Sequence, residues 1–122
     1  MPRKSSKCTT LLLKSGRVPA TVDELFERVF WKSITLATEA KIFFLKLIEM
    51  EPDGFPVSRW KEWTERRKLS TGSFYNMLHG LEGAGFIEKR EGAWHVSRGF
   101  LRELEQMVIL YTSLTGYEHR LK

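Results

Sequence analysis

The sequence has 122 residues and a mass of 14.3 kDa, which is enough for one domain and too little for several. Hydrophobic residues make up 42% and charged residues 29%, the balance of a globular chain rather than a disordered one. No apolar run approaches the roughly 18 residues that a membrane-spanning helix needs, so we expect no membrane partner.

The cysteine content predicts a reducing, cytoplasmic location. Cys8 is the single cysteine, so the chain can form neither an internal disulfide nor a cysteine-based zinc site. Leu11-Leu12-Leu13 is too short for the roughly 7 to 15 apolar residues of a signal peptide. A single Asn and a single Gln among many charged residues are a bias reported for thermophilic proteins.

The net charge of +5 is unevenly distributed. The first twenty residues hold five basic side chains and no acid, which leaves fifteen bases and fifteen acids for the rest of the chain. Residues 1–20 therefore read as a flexible basic arm. Residues 58–90 carry seven bases and four acids, a local excess that attracts polyanions, although basic runs are often only solvated surface.

An amphipathic helix is predicted directly after the arm. Thr21 followed three positions later by Glu24 is a capping box. Apolar residues then recur at the spacing of one helical face, up to about Trp31 or Lys32. They are Val22, Leu25, Phe26, Val29 and Phe30.

A second helix is predicted from Thr35 or Thr38, either of which can cap it, to about Met50. Its apolar residues go nearly all the way round, which is typical of a central, buried helix. They are Ile42, Phe43, Phe44, Leu45, Leu47 and Ile48. A turn follows at residues 51–54, and Phe55-Pro56-Val57 is long enough only to add an edge strand to a later hairpin.

Two further helices are predicted across residues 58–82. Ser58 can cap a helix over residues 59–67, in which Trp60 and Trp63 share one face. Ser70 can cap the next helix, over residues 70–82. The inward positions of that helix are Phe74, Met77, Leu78 and Leu81, and the outward ones are Thr71, Ser73, Tyr75, Asn76 and His79.

After this helix the spacing of the apolar residues changes from helical to alternating. This change predicts a β-hairpin over residues 86–97 with Glu91-Gly92 as its turn. A last helix is predicted after a cap at Ser97. Its apolar stripe is spaced 4, 3, 4, 3, which is too short a heptad repeat to pair stably alone, so it must pack on the body, on a second copy, or on both. The stripe is Phe100, Leu104, Met107, Tyr111 and Leu114.

Residues 69–87 resemble the recognition-helix region of MarR-like and PadR-like regulators. The small polar cap Ser70, the pair Leu81-Glu82, and Gly85 before an apolar strand carry this resemblance, and residues 94–99 are similar to the strand-to-helix exit of the same proteins. The resemblance covers about residues 35–100. It implies a mainly α fold with a small β-hairpin: a winged helix-turn-helix with additional N- and C-terminal helices, forming one domain over residues 21–122 with its core at 35–97.

The resemblance implies a transcription regulator that binds double-stranded DNA, with the helix at 70–82 in the major groove and the hairpin at 86–97 as the wing. The candidate nucleic-acid-binding residues are Arg59, Arg66, Arg67 and Lys68 beside the groove, Thr71, Ser73, Tyr75, Asn76 and His79 on the helix, and Lys89 and Arg90 on the wing. Asn76 can pair bidentately with adenine, and Tyr75 can stack or contact a thymine methyl or a phosphate. No Lys or Arg occurs from Ser70 to Gly83, so we expect modest sequence specificity, with A·T preference or shape readout, and much of the affinity from the basic arm.

The expected assembly is a homodimer through the two outer helices. The candidate interface residues are Leu25, Phe26, Val29, Leu104, Met107, Tyr111 and Leu114. A protein-interaction module in a larger assembly is the alternative function. RNA binding is a third possibility, but the sequence has no clear basic and aromatic platform of the kind that single strands require.

Other site classes are not expected. Trp60, Trp63 and Phe74 are interpreted as core, whereas Trp94 can face either way. The three histidines have no partner at metal-ligand spacing, and no phosphate loop, nucleophile elbow or paired-acid motif occurs. We therefore predict no enzyme activity, no metal and no cofactor.

Overall fold

The computed structural model describes residues 16–117. Within them the helices are α1 (Val22–Val29), α2 (Ile34–Met50), α3 (Trp60–Arg67), α4 (Thr71–Gly83) and α5 (Gly99–Thr115). The strands are β1 (Phe55–Pro56), β2 (Ile87–Arg90) and β3 (Ala93–Val96). The predicted fold class is confirmed: the domain is mainly α, with a small antiparallel sheet, in an arrangement consistent with a winged helix.

The Thr21 cap predicted for α1 forms, but the Glu24 side chain of the predicted capping box bonds to the amide one residue before the cap. The Thr21 hydroxyl accepts a hydrogen bond from the Glu24 amide at 3.1 Å, and the Glu24 carboxylate accepts one from the Ala20 amide at 2.7 Å. The Arg28 side chain donates to the carbonyl of Arg17, so this end of the predicted arm runs beside α1. Residues 1–15 of that arm lie outside the described residues.

The start predicted for α2 was wrong. Ser33 is the N-cap and accepts a hydrogen bond from the Leu36 amide at 3.1 Å, whereas Thr38 lies inside the helix and donates to the Ile34 carbonyl. Only one face of α2 is buried, through Ala37, Ala40, Phe43 and Leu47. Leu45 and Ile48 are each 50% exposed, because no described element covers that side.

An aromatic cluster around Phe43 forms the centre of the core. The ring of Phe43 packs edge-on against Phe55 of β1 at 5.2 Å, Trp63 of α3 at 5.4 Å and Phe74 of α4 at 5.9 Å between centroids. Such edge-to-face contacts contribute roughly 0.5–1.5 kcal/mol each beyond the burial of area. The core interpretation of Trp63 and Phe74 is confirmed, and this cluster sets the position of α4 relative to α2.

The segment before α3 differs from the prediction. Val57, Ser58 and Arg59 form a 3₁₀ turn, so Ser58 does not cap α3, and Arg59 holds the cap position without a side-chain hydrogen bond. At the other end Lys68 is left-handed, with φ of 58°, and the Leu69 amide bonds back to the Thr64 carbonyl at 2.9 Å. This tight end turns the chain directly into α4.

The sheet has the strand order β1-β3-β2. The hairpin pairs Ile87 with Val96, and its two turn residues both have positive φ, 50° for Glu91 and 78° for Gly92, the combination of a type I′ turn. The predicted edge strand is confirmed, since Phe55 pairs with Trp94.

The last helix starts at Gly99 rather than directly after Ser97, although the Ser97 hydroxyl still accepts a hydrogen bond from the Gly99 amide at 3.0 Å. Phe100 anchors it by packing on Phe86 at 4.8 Å between centroids. None of its seventeen residues is buried.

Glu51 links the end of α2 to the sheet. Its carboxylate is 3.0 Å from Nδ1 of His95 and accepts a hydrogen bond from the Val96 amide at 2.6 Å. Burial by itself raises the pKa of Glu51, but the hydrogen bonds from His95 and Val96 outweigh burial and lower that pKa below its usual value.

We expect Glu51→Ala to lower the free energy of unfolding by about 1–3 kcal/mol, because the Val96 amide and the His95 ring both lose their partner. A carboxyl whose folded-state pKa is lowered stabilises the fold above its unfolded pKa, and this stabilisation is lost as the pH falls through the folded value. Urea unfolding at pH 7 and at falling acidic pH measures both effects. Glu49→Ala, which removes only an exposed pair with Lys46, is the control; equal loss in both variants contradicts the assignment.

Candidate nucleic-acid interface

The outward face of α4 lies at the surface. Thr71, Tyr75, Asn76 and His79 are exposed, and Ser73 is half-buried. The opposite face is fixed in the core by Phe74, Met77, Leu78 and Leu81, each at most 1% exposed. The Ser70 hydroxyl caps the helix by accepting from the Ser73 amide at 3.0 Å. The helix is thus held rigidly with its polar side toward solvent.

Three of the predicted phosphate-binding arginines are engaged within the chain. Arg67 donates two hydrogen bonds of 3.0 Å to both carboxylate oxygens of Glu39 on α2, and the hydrogen bond to Glu39 raises the pKa of Arg67. Arg59 pairs with Glu62 at 2.9 Å. The bidentate pair of Arg67 joins α3 to α2, so its first role is structural.

The third arginine, Arg90, pairs across one residue of β2 with Glu88 at 2.6 Å. This hydrogen bond is the main reason why the pKa of Glu88 is lowered. Arg90 therefore brings a partly neutralised charge to the wing.

The positive charges of three other predicted interface residues are less neutralised by neighbouring side chains. The Arg66 guanidinium lies 4.8 Å from the ring centre of Trp63, and the Lys89 ammonium lies 5.8 Å from that of Trp94. Lys68 is exposed at the turn between α3 and α4. Arg66 lies in the last turn of α3, Lys68 at the turn before α4 and Lys89 on the hairpin, so they flank the two elements that the sequence assigned to DNA.

A cleft opens between the start of α3, α4 and the hairpin. It has a volume of about 370 Å³. Five aromatic rings and one amine contribute to its lining: Phe55, Trp60, Phe74, Tyr75, Trp94 and Lys89. We call it the aromatic cleft. Sequence reasoning missed it because Trp60 shares a helical face with Trp63 and was assigned to the core, whereas it is half-buried at the cleft wall.

A second depression, the apolar groove, lies beside the root of α5. It also has a volume of about 370 Å³ and is lined mainly by Val22, Leu25, Leu45, Ile48, Phe100 and Leu101. Val22 is 58% exposed and Leu101 is 44% exposed. The sequence predicted a stripe on α5 but not this neighbouring surface on α2.

The residues predicted for the dimer interface separate into three groups by burial. Phe26 and Val29 are buried inside their own chain, where Phe26 packs on Phe44 and Phe86, so little of their surface is left for a second copy. Leu25 and Leu104 are half-buried. The remaining three, Met107, Tyr111 and Leu114, are exposed.

The described helices and sheet define the class as a small, mainly α domain compatible with a winged helix. An archaeal protein family matches residues 19–114, and the chain belongs to that family. No curated protein and no solved structure matches it. Within residues 16–117 no helix has the length and apolarity to cross a bilayer, and no three potential metal ligands come together.

Alanine substitutions at two glycines of α4 are predicted to change the free energy of unfolding in opposite directions. A methyl group at Gly80 would lie 2.5 Å from the buried ring of Phe30, so Gly80→Ala should lower the free energy of unfolding by about 1–3 kcal/mol. A methyl group at Gly72 meets nothing within 4 Å, so Gly72→Ala should raise it by up to about 1 kcal/mol.

Thermal or urea unfolding of the two variants provides the comparison. If Gly80→Ala proves as stable as Gly72→Ala, the close packing of the Phe30 ring against α4 is incorrect.

Proposed function

We propose that this chain is a cytoplasmic DNA-binding protein, a transcription regulator and not an enzyme. One observation supports this most directly: the polar face of α4 is exposed while its other face is fixed in the core. An α-helix fits the major groove of duplex DNA, where base edges present a complete pattern of donors and acceptors.

In the proposed complex α4 lies in the major groove and Asn76 reads a base edge. A carboxamide pairs bidentately with adenine, which makes Asn76 the best-suited reader on this face. The exposed first turn at Thr71 and Gly72 directs backbone N–H groups toward a phosphate. Gly72 has open space around its α-carbon, which lets the backbone approach the strand closely.

The affinity is proposed to come mainly from phosphate contacts. Residues 70–83 contain no Lys or Arg, so the commonest specific contact, arginine to guanine, is missing from α4. Arg66, Lys68 and Lys89 flank the helix and supply the charge. The first twenty residues hold a further five bases. Such a protein reads A·T pairs and groove shape better than G·C-rich sequence.

We further propose that the protein acts as a homodimer through α5. The stripe consists of Phe100, Leu104, Met107, Tyr111 and Leu114. Its first residue, Phe100, packs on Phe86 of the body, whereas Leu114 at its far end is 82% exposed. Residues 106–117 contain no charged side chain. An exposed helix of this composition is unfavourable in water unless a partner covers it, and a heptad-spaced stripe is complementary to itself.

The second copy must cover more than the stripe. A stable interface uses roughly 20–30 residues on each side, more than one face of a seventeen-residue helix provides. The apolar groove is continuous with the root of α5, since Phe100 and Leu101 line it. We therefore include Leu45 and Ile48 of α2 in the proposed interface and leave out Phe26 and Val29.

Duplex binding should weaken with salt and depend on Asn76. In anisotropy titrations of labelled random duplex, the logarithm of the affinity should fall linearly with that of salt, with a slope of about −0.9 per phosphate contact. Lys68→Ala should reduce the magnitude of this slope by about 0.9, the value of one phosphate contact. Lys46→Ala on α2 is its control. Asn76→Ala should reduce the preference for a selected sequence by about 1–3 kcal/mol without changing the slope.

Salt-independent binding excludes the phosphate model. If Lys68→Ala keeps full duplex affinity but loses a protein partner, the chain is an interaction module.

The dimer is expected to sediment at twice the chain mass of 14.3 kDa at micromolar concentration. Leu114→Glu or Met107→Glu should produce a monomer, because each copy places a charge in an apolar seam. Ile109→Glu is the matched control: Ile109 is 50% exposed but lies about 200° around the helix from Met107. A monomeric wild-type protein, or equal effects of Ile109→Glu and Leu114→Glu, contradicts this interface.

A further inference from the structure

The aromatic cleft has the size and lining of a ligand site. Its volume of about 370 Å³ falls in the range of roughly 300–1,000 Å³ that small-molecule sites occupy. Phe55, Phe74 and Trp94 are buried and form its floor, whereas Trp60 and Tyr75 form a wall with more exposed rings. The polar groups at its edge are few, chiefly the Lys89 amine and the Ser58 hydroxyl. This lining suits a flat, largely apolar group that carries a negative charge at one end.

The rings continue out of the cleft along α4. The centroid of Trp60 is 6.4 Å from that of Tyr75, which is 6.4 Å from that of His79. Tyr75 is 37% exposed and His79 is exposed, so this row of rings borders solvent. The α4 face assigned to duplex reading is thus aromatic and uncharged along one edge.

The rings of the row offer faces on which a base can stack. Neighbouring centroids are 6.4 Å apart, the distance of rings that contact each other, so a base stacks on the outer faces of the row rather than between its members. The rings of Trp60 and Tyr75 are tilted by 50° to each other. Tyr75 is 37% exposed, so part of its ring is open to a base, and the ring also packs on the buried ring of Phe74 at 5.4 Å between centroids.

The charge at the rim matches a nucleotide backbone. The Lys89 ammonium lies 5.8 Å from the ring centre of Trp94 at the edge of the cleft, a position suited to an anionic group attached to a ligand in the cleft. Stacking is tolerant of sequence, because every base has a π face, and it combines with cationic residues in proteins that bind single strands.

From this geometry we infer that the aromatic cleft is a binding site for an unpaired nucleobase, which stacks on Trp60 and Tyr75 while Lys89 binds its phosphate. The chemistry recognised is a planar base with an attached phosphate, carried on a single strand or free as a nucleotide. The inference does not require duplex binding, although both use Tyr75 and His79.

The first experiment measures the binding of fluorescein-labelled oligothymidylate by anisotropy at low salt. Trp60→Ala should weaken binding by about 5- to 150-fold, the range for removal of one stacking ring. Trp60→Phe should retain most of the affinity. Trp31→Ala is the matched control, because Trp31 is a 46% exposed tryptophan in the loop between α1 and α2, outside the cleft.

A surface substitution separates the site from any effect on folding. Lys89 is exposed, so Lys89→Ala should leave thermal unfolding unchanged while reducing the salt slope of oligothymidylate binding by about 0.7. Lys46→Ala on α2 should leave that slope unchanged. If Trp60→Ala loses binding only together with a lowered thermal unfolding temperature, and Lys89→Ala binds oligothymidylate with the wild-type affinity and salt slope, the inference is overturned, because the loss then follows from folding.

Photo-crosslinking of an oligonucleotide that contains 5-iodouracil locates the base directly. Adducts on Trp60 or Tyr75 support the site, whereas adducts confined to other parts of the chain overturn it. Titration with thymidine monophosphate shows whether the site binds free nucleotides or single strands. An affinity equal to that of the oligonucleotide assigns the site to free nucleotides, and a much weaker affinity assigns it to a strand. If neither ligand binds, the inference fails.

Duplex titrations of the same variants keep the two proposals apart. Duplex binding that depends on Asn76 together with no binding of oligothymidylate rejects only the base site. Binding of oligothymidylate with no duplex binding rejects only the proposed reading of the major groove.

Discussion

The packing of rings around Phe43 is the constraint on which the other features depend. One side chain of α2 contacts β1, α3 and α4 through Phe55, Trp63 and Phe74, all edge-on. Rings in this arrangement resist sliding, because a shift separates the positive edge of one ring from the negative face of another. The surface that α4 presents is therefore determined from inside the molecule. The same cluster leaves Trp60, one turn before Trp63, at the edge of the core, where it becomes a wall of the aromatic cleft.

Much of the fold could be predicted because local signals agree with the tertiary packing. The cap at Thr21, the cap at Ser70 and the change of period after Gly85 each belong to short stretches whose backbone bonds are satisfied locally. The misplaced boundaries have a common cause. Ser33, Thr35 and Thr38 are all competent caps, and the choice among them depends on backbone conformation, which composition does not reveal.

The site was less predictable than the fold, because charge and apolarity acquire meaning only from their neighbours in space. Arg67 is basic in sequence but is held by Glu39, twenty-eight positions away. The apolar residues of α2 indicated a helix covered on all sides, yet Leu45 and Ile48 face outward. Conversely, Trp60 was interpreted as a core residue, but it is half-buried and lines the aromatic cleft. Helical periodicity assigns a residue to a face, but it does not indicate whether another element covers that face.

The hydrogen bond between the Val57 amide and the Gly92 carbonyl, 2.9 Å long, ties the tip of the hairpin to the turn that leads into α3. Gly54, which precedes β1, lies so close to Trp94 and His95 that a side chain there would collide with both. The hairpin is consequently fastened at its tip and along its flank, and it forms a single stiff body with α3 and α4. A duplex bound as proposed above would have to adapt its own curvature to this template, so stiff and pliable sequences with identical contacted bases would be distinguished by their bending energy.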